Sequence, residues 1–233
     1  YIKSLKRIKV KNPLILIASY KLIKLQMKKL NLKINIKIID QNNLVNYNLN
    51  NKCINLINVD YNPKKAFEKI TIKSKKYIER CFEIAFKILQ EKKIRKFING
   101  PISKKSFLNK NFLGITEYIS NKFNIKKNAM LIYNKNLSVC PITTHLPLKN
   151  VAKNINKNII FDKVKIINSF YKTKFKKTPK IGILGLNPHC ESIDKFNEDE
   201  KIIRPAVNSL KKRYSISGPF PADTVFISKN RKK

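Results

Sequence analysis

Apolar positions along the chain fall into two alternating kinds of segment. Runs at 13–18, 34–39 and 53–59 have the length and β-branched content of buried strands. Between the first two, residues 20–30 space their apolar side chains as a helix does. The clearest helix covers 71–93: Ile78, Phe82, Ala85 and Leu89 recur every three or four residues on one face, and Lys92 and Lys93 close it with the charge the helix dipole favours. Residues 41–51 are polar and Asn-rich, the composition of a surface loop. A short strand is expected at 94–98, handing into the turn Asn99-Gly100-Pro101-Ile102 and a helix capped by Ser103.

The second half repeats the alternation, with strands at 129–133, 137–142 and 180–186 and a helix at 159–170. Asn197 caps a further helix that Pro205 should kink. Its first turn carries Glu198, Asp199 and Glu200, and its end Lys211, Lys212 and Arg213, as the dipole favours. Strand and helix alternating throughout predict an α/β fold with a largely parallel sheet. No repeat and no Pro/Gly/Ser-rich linker divides residues 1–233, and no lobe boundary is marked.

Charge qualifies this picture. Lys and Arg number 51 against 14 Asp and Glu, a net charge of +37, which alone points to a nucleic-acid partner. The lysines, however, run through every segment without a block of five like charges, whereas a phosphate-binding surface needs a patch or stripe. Lys, Asn and Ile are abundant and Gly (5) and Trp (0) scarce, the pattern of A/T-rich codons. Codon drift therefore accounts for the excess, no nucleic acid is expected as partner, and the charge favours small anionic, phosphorylated substrates by steering. Hydrophobic residues at 42% supply a core and exclude a mainly disordered chain. Cys53, Cys81, Cys140 and Cys190 form no C-x-x-C pair, which excludes a zinc ribbon and argues against a disulfide framework. Reduced thiols, no apolar run of membrane-spanning length and no signal peptide predict a cytoplasmic protein with no membrane partner.

Candidate chemistry gathers just past the expected strand ends, where open α/β sheets place their ligands. The segments are Asn99-Gly-Pro-Ile-Ser-Lys104, Gly114-Ile-Thr-Glu117, Thr143-Thr-His-Leu-Pro147, Asn187-Pro-His-Cys-Glu191 and Gly218-Pro-Phe-Pro-Ala-Asp-Thr224. His145 and His189 are the chain's only histidines, and each follows an apolar run; neutral imidazoles suit zinc or a similar divalent ion, with a hydrogen-bonded structural histidine as the other reading of each. A third ligand would come from Asp223, Glu191 or Cys190. Lys104 is placed to meet a phosphate or carboxylate, with a solvated surface amine as the other reading. Spacing reads Thr116 and Glu117 as helix-capping residues, with ligand contact as the alternative. Neither the Gly-x-Gly-x-x-Gly fingerprint nor a P-loop is present, so an ordinary Rossmann or P-loop site is unsupported.

Taken in order, Gly100-Pro-Ile-Ser-Lys104, Gly114-Ile-Thr-Glu117, Thr143-Thr-His-Leu-Pro-Leu148, Gly185-Leu-Asn-Pro-His189 and Gly218-Pro-Phe-Pro-Ala-Asp-Thr224 resemble the 4-hydroxythreonine-4-phosphate dehydrogenase family of pyridoxal phosphate (vitamin B6) biosynthesis. The resemblance implies a three-layer α/β sandwich like that of the isocitrate and isopropylmalate dehydrogenases, with two lobes around an active-site cleft at the interface of a homodimer. It implies NAD-dependent oxidation and decarboxylation of 4-phosphooxy-L-threonine to 3-amino-2-oxopropyl phosphate. Nucleotide-binding residues stay unassigned. His145 and His189 match two of the family's three metal-binding histidines, with zinc as the foremost ion and magnesium or cobalt as alternatives. Thr116 matches a substrate-binding threonine. Lys104 is implied for substrate anions, and Asp223 as base or as partner of a ligand. The metal would lower the pKa of the substrate hydroxyl while hydride passes to NAD, and would then serve the decarboxylation.

Three departures accompany the resemblance. Ile115 stands where the family has histidine. The loop after His189 is short and lacks the usual glycines. The family's third metal histidine lies beyond the Pro-Ala-Asp-Thr motif, and its glycine-rich opening lies before Tyr1. These departures lead to the expectation of a fragment lacking both ends, with weak metal retention and little turnover. Two other readings are a metal-dependent hydrolase using His145, His189 and Asp223, needing no nucleotide, and a basic nucleic-acid-binding protein with steeply salt-dependent affinity.

Overall fold

The computed structural model describes residues 1–7, 10–91, 94–108, 111–193 and 196–227. The chain divides into two compact units, Tyr1–Asn109 and Lys110–Lys233. The first is built on three parallel strands, β1 (Ile15–Ala18), β2 (Ile36–Ile38) and β3 (Ile54–Asn58), in the order β1-β3-β2. Helices α1 (Ile2–Arg7) and α2 (Tyr20–Lys29) precede and follow β1, and α3 (Ile72–Gln90) follows β3.

Central position explains the composition of β3, since a strand flanked on both sides and covered on both faces reads as a continuous apolar run. Ile54 and Leu56 are fully buried in one cluster with Ala18 of β1 and with Ile2, Ile23 and Met27 of the first two helices. Ile57 points the other way, into a second cluster with Ile39, Leu44 and Ile88 of α3. Each such aliphatic side chain contributes about 1.5–3 kcal/mol on burial. Asn55 is the buried polar exception, Asn58 at the strand's end being exposed. Its carboxamide donates to the carbonyls of Leu14 (2.9 Å) and Asn50 (2.8 Å), tying the approach to β1 to the turn before β3.

Ser19 closes β1 and opens α2. Its hydroxyl accepts from Leu22 N–H and donates to the Tyr61 carbonyl, while its own N–H donates to the Tyr77 hydroxyl (2.9 Å). Tyr77 stacks on Tyr61 at 4.7 Å. Helix α3 begins in a capping box, Thr71 and Ser74 each bonding the other's backbone N–H. Phe82 and Ala85 of its expected face are buried; Ile78 and Leu89 are half-buried, and Tyr77, Phe86 and Ile88 complete the contact surface. Lys92 and Lys93 lie outside the described residues.

Residues 94–98 are not a strand. A strand needs a ladder partner, and this run packs Phe97 against Phe82 (5.7 Å) and Phe86 (6.3 Å) of α3 instead. Nor is 41–51 simply a loop: Gln41–Asn46 forms a 3₁₀ turn capped by Asp40, with Leu44 buried. Asn51 bonds Leu14 N–H and the carbonyls of Val10 and Asn12. Ser103 caps the one-turn α4 (Lys104–Phe107) as expected.

The second unit holds α5 (Ile115–Lys122), α6 (Lys157–Phe175), α7 (Arg204–Lys211) and two parallel strands, β4 (Ile181–Leu184) and β5 (Ile216–Phe220). Its core gathers Ile160 and Val164 of α6, Ala206, Val207 and Leu210 of α7, with Ile203 and Ile216. The strands expected at 129–133 and 137–142 reduce to a single antiparallel bridge, Ile132 with Val139. Their side chains dock on the end of α6: Tyr133 stacks on Phe175 at 5.3 Å and Tyr171 donates to Ser138 at 3.0 Å. Strand β5 falls on a stretch not expected to be one, because Gly218 and Pro219 are poor strand residues. Gly218 has φ +122°, and a side chain there would collide with the Ile183 carbonyl. A π-helical turn, Asp199–Ile203, runs into α7 with Pro205 at its second position, so the expected kink is a change of helical pitch around a residue that cannot donate.

Two stability predictions follow the burial. Tyr77→Phe leaves the Ser19 N–H buried without its acceptor and should cost about 1–3 kcal/mol in urea unfolding; an unchanged midpoint would contradict the bond. Ile160→Ala, at a side chain 1% exposed, should cost about 2–5 kcal/mol, whereas Ile193→Ala, at a fully exposed position, should stay within about 0.5 kcal/mol.

Candidate functional site

Four of the five motif segments lie in the second unit and meet there in pairs. Helix α5 starts on Gly114, which offers no side-chain cap, so neither Thr116 nor Glu117 caps it. Glu117 reaches instead to the turn before His145, where its Oε1 accepts from the Thr144 hydroxyl at 3.0 Å. Its Oε2 is buried and has no hydrogen-bond partner among the described residues. A Cβ on residue 114 would stand 2.6 Å from that oxygen and 2.9 Å from Nε2 of His145. The absent side chain of Gly114 thus leaves a small gap bounded by a carboxylate oxygen and an imidazole. Thr116 and Ile115 are half-buried in the first turn, and His145 is exposed on a left-handed residue, φ +59°.

The second pair follows from strand direction. Because β4 and β5 are parallel neighbours, their C-terminal ends share one edge, and the loops leaving them carry His189 and Asp223. Nδ1 of His189 lies 4.0 Å from Oδ2 of Asp223, with both side chains largely in solvent. The loop beneath His189 is fixed from the start of the next helix. Asp199, wholly buried, accepts from Leu186 N–H (2.8 Å), Asn187 N–H (2.9 Å) and the Asn187 carboxamide (3.0 Å). Asn197 caps that helix start as expected, accepting from Asp199 N–H at 2.9 Å. The structural importance of Asp199 was hidden in the sequence, where it reads as one of three acids complementing a helix dipole.

Donor chemistry at these turns suits a divalent ion: two imidazoles, with a carboxylate beside one of them. His145, His189 and Asp223 do not converge as a ligand trio, and no group of three or more His, Cys, Asp or Glu side chains among the described residues does. That arrangement runs against the three-ligand hydrolase reading. Cys190 is buried, and burial, followed by the neighbouring Asp199 carboxylate, raises its thiol pKa, which disfavours it as a third ligand. Lys104 is exposed on α4, in the first unit. A hollow between α6 and the end of α7, lined by Phe161, Asp162, Lys165, Leu210, Arg213 and Tyr214, contains none of the candidate residues. Among the described residues no helix is long and apolar enough to cross a membrane.

Known proteins match this chain over much of its length. The chain is 38% identical over 178 residues to 4-hydroxythreonine-4-phosphate dehydrogenase from Sulfurihydrogenibium sp. (strain YO3AOP1), a match covering 74% of this chain and 54% of the relative. The chain thus spans about half the length of the curated relatives it matches. Solved structures agree in fold: the Salmonella typhimurium protein superposes with a TM-score of 0.82 at 21% identity, over 99% of this chain and 74% of that one. The Klebsiella pneumoniae 4-hydroxythreonine-4-phosphate dehydrogenase gives 0.77 at 22% identity, over 93% and 68%. The family model described as pyridoxal phosphate biosynthetic protein PdxA matches residues 9–233, and the chain belongs to that family.

Proposed function

We propose that the protein carrying this chain oxidises and decarboxylates 4-phosphooxy-L-threonine to 3-amino-2-oxopropyl phosphate with NAD, as a step in pyridoxine 5′-phosphate synthesis. The observation that carries the proposal is the pairing of motif segments within one unit: Gly114–Glu117 against the His145 turn, and His189 against Asp223. The relatives' shared name supplies the substrate and its oxidation.

In this reading His145 and His189 hold a divalent ion, zinc foremost, with magnesium or cobalt as alternatives. When bound, the ion would acidify the substrate hydroxyl, and NAD would accept the hydride. Asp223 takes the hydroxyl proton on its exposed carboxylate, or orients His189 beside it. Thr116 contacts the substrate from the first turn of α5, and Lys104 meets a substrate anion. Ile115 presents only hydrocarbon where the family has an imidazole, so any hydrogen bond made there is lost. No residue is assigned to the nucleotide. The net charge of +37 draws the phosphorylated substrate by steering. The wider reading is a cytoplasmic homodimer of the isocitrate/isopropylmalate dehydrogenase type, three-layered and two-lobed, with its cleft at the subunit interface. Parallel sheets and free cysteines are consistent with it.

The assay is NADH formation at 340 nm from 4-phosphooxy-L-threonine. His145→Ala and His189→Ala should each lower kcat/KM by on the order of 10²-fold or more, and a chelator should abolish turnover until zinc, cobalt or magnesium is restored. Full activity in both variants, or after chelation, would refute the metal role. Asp223→Asn should reduce kcat by about 10²–10⁴-fold with KM nearly unchanged; a rise in KM alone would make it a binding residue.

A further inference from the structure

We infer that Asp199 is a positioning residue for His189: it sets the imidazole's direction without touching substrate. The inference rests on reading His189 as a metal-holding residue. Wholly buried, the Asp199 carboxylate must be satisfied by donors. Its three short bonds among the described residues come from Leu186 and Asn187, the residues that lead into His189. Glu198 adds a second acceptor for the Asn187 carboxamide at 3.1 Å.

What this clamp holds is a strained turn. His189 (φ +56°) and Cys190 (φ +63°) are consecutive left-handed residues, neither of them glycine. Such conformations persist where surrounding contacts over-determine them. Here Cys190 N–H bonds the Asn187 carbonyl and Glu191 N–H the Pro188 carbonyl, each at 3.0 Å. The Cys190 sulfur and the Asp199 carboxylate share the space left by Gly185, where a Cβ would lie 2.6 Å from Sγ and 2.8 Å from Oδ1. His189 itself has a side chain 73% exposed. Its direction beside Asp223 is therefore inherited from the backbone beneath it.

Because the chain has two histidines, a ¹⁵N imidazole spectrum contains two ring systems, and His145 serves as internal control. Asp199→Asn turns an amide NH₂ toward backbone donors. In zinc-free protein it should shift the His189 ring and the Leu186 and Asn187 amides, leave the His145 ring in place, and lower zinc affinity by about 10–100-fold. Gly185→Ala, which pushes on the carboxylate from the other side, should displace the same His189 signals. It decides the matter should Asp199→Asn fail to fold. His189 signals identical to wild type in either folded variant, or both rings moving together, would overturn the inference. Should zinc move neither ring in the wild-type chain, the metal reading fails and the zinc-free comparison still decides the role of Asp199.

Discussion

A carboxylate that folding takes wholly out of water must find donors, and Asp199 finds three in the two residues that follow the turn out of β4. That demand couples the end of a strand to the first turn of the next helix. It leaves room for Gly but no larger residue at 185, and it carries the chain through two left-handed residues to place an imidazole at the sheet edge. The neighbouring parallel strand ends on the same edge, so the loop bearing Asp223 arrives beside it without any contact of its own having to be strong. Glu117 performs a similar service for the other histidine, from the first turn of α5.

These arrangements put acidic groups at the centre of a protein with only 14 of them. Most lysines can drift in number and position at the surface, since isolated exposed charges contribute little. Asp199 and Glu117 cannot, because each has a buried oxygen committed to a fixed neighbour or a fixed gap. The excess positive charge and the few buried carboxylates are thus separate matters: the first is a bulk property favouring anions, the second holds the turns that lead to the two histidines.

The legible part of the fold was the part governed by local pattern. The runs holding β1, β3 and β4, the helices α2, α3 and α6, and the caps at Ser103 and Asn197 could be read from spacing and residue type. What failed required knowledge of partners. Residues 94–98 and 129–142 have strand-like composition, yet their aromatic and aliphatic side chains pack on helices. Strand β5 has poor strand residues and forms because β4 accepts it as a neighbour. The site was legible as motifs, and the reasoning that these follow strand ends holds for His189 and Asp223 but not for His145 or Lys104, whose preceding runs are not strands. The roles of Asp199 and Glu117 were illegible because helix-start acids look alike in sequence whether they face solvent or a buried turn.

The proposed function rests on one central claim, that the two histidines, 44 residues apart in sequence, serve a single metal centre. A cobalt(II) titration followed through the two imidazole spin systems tests it most directly. Both rings should shift together, at one stoichiometric equivalent and along one saturation curve, with the visible absorption of nitrogen-coordinated cobalt growing in parallel. Rings that respond at separate cobalt concentrations, or one ring that never responds, would contradict the shared centre.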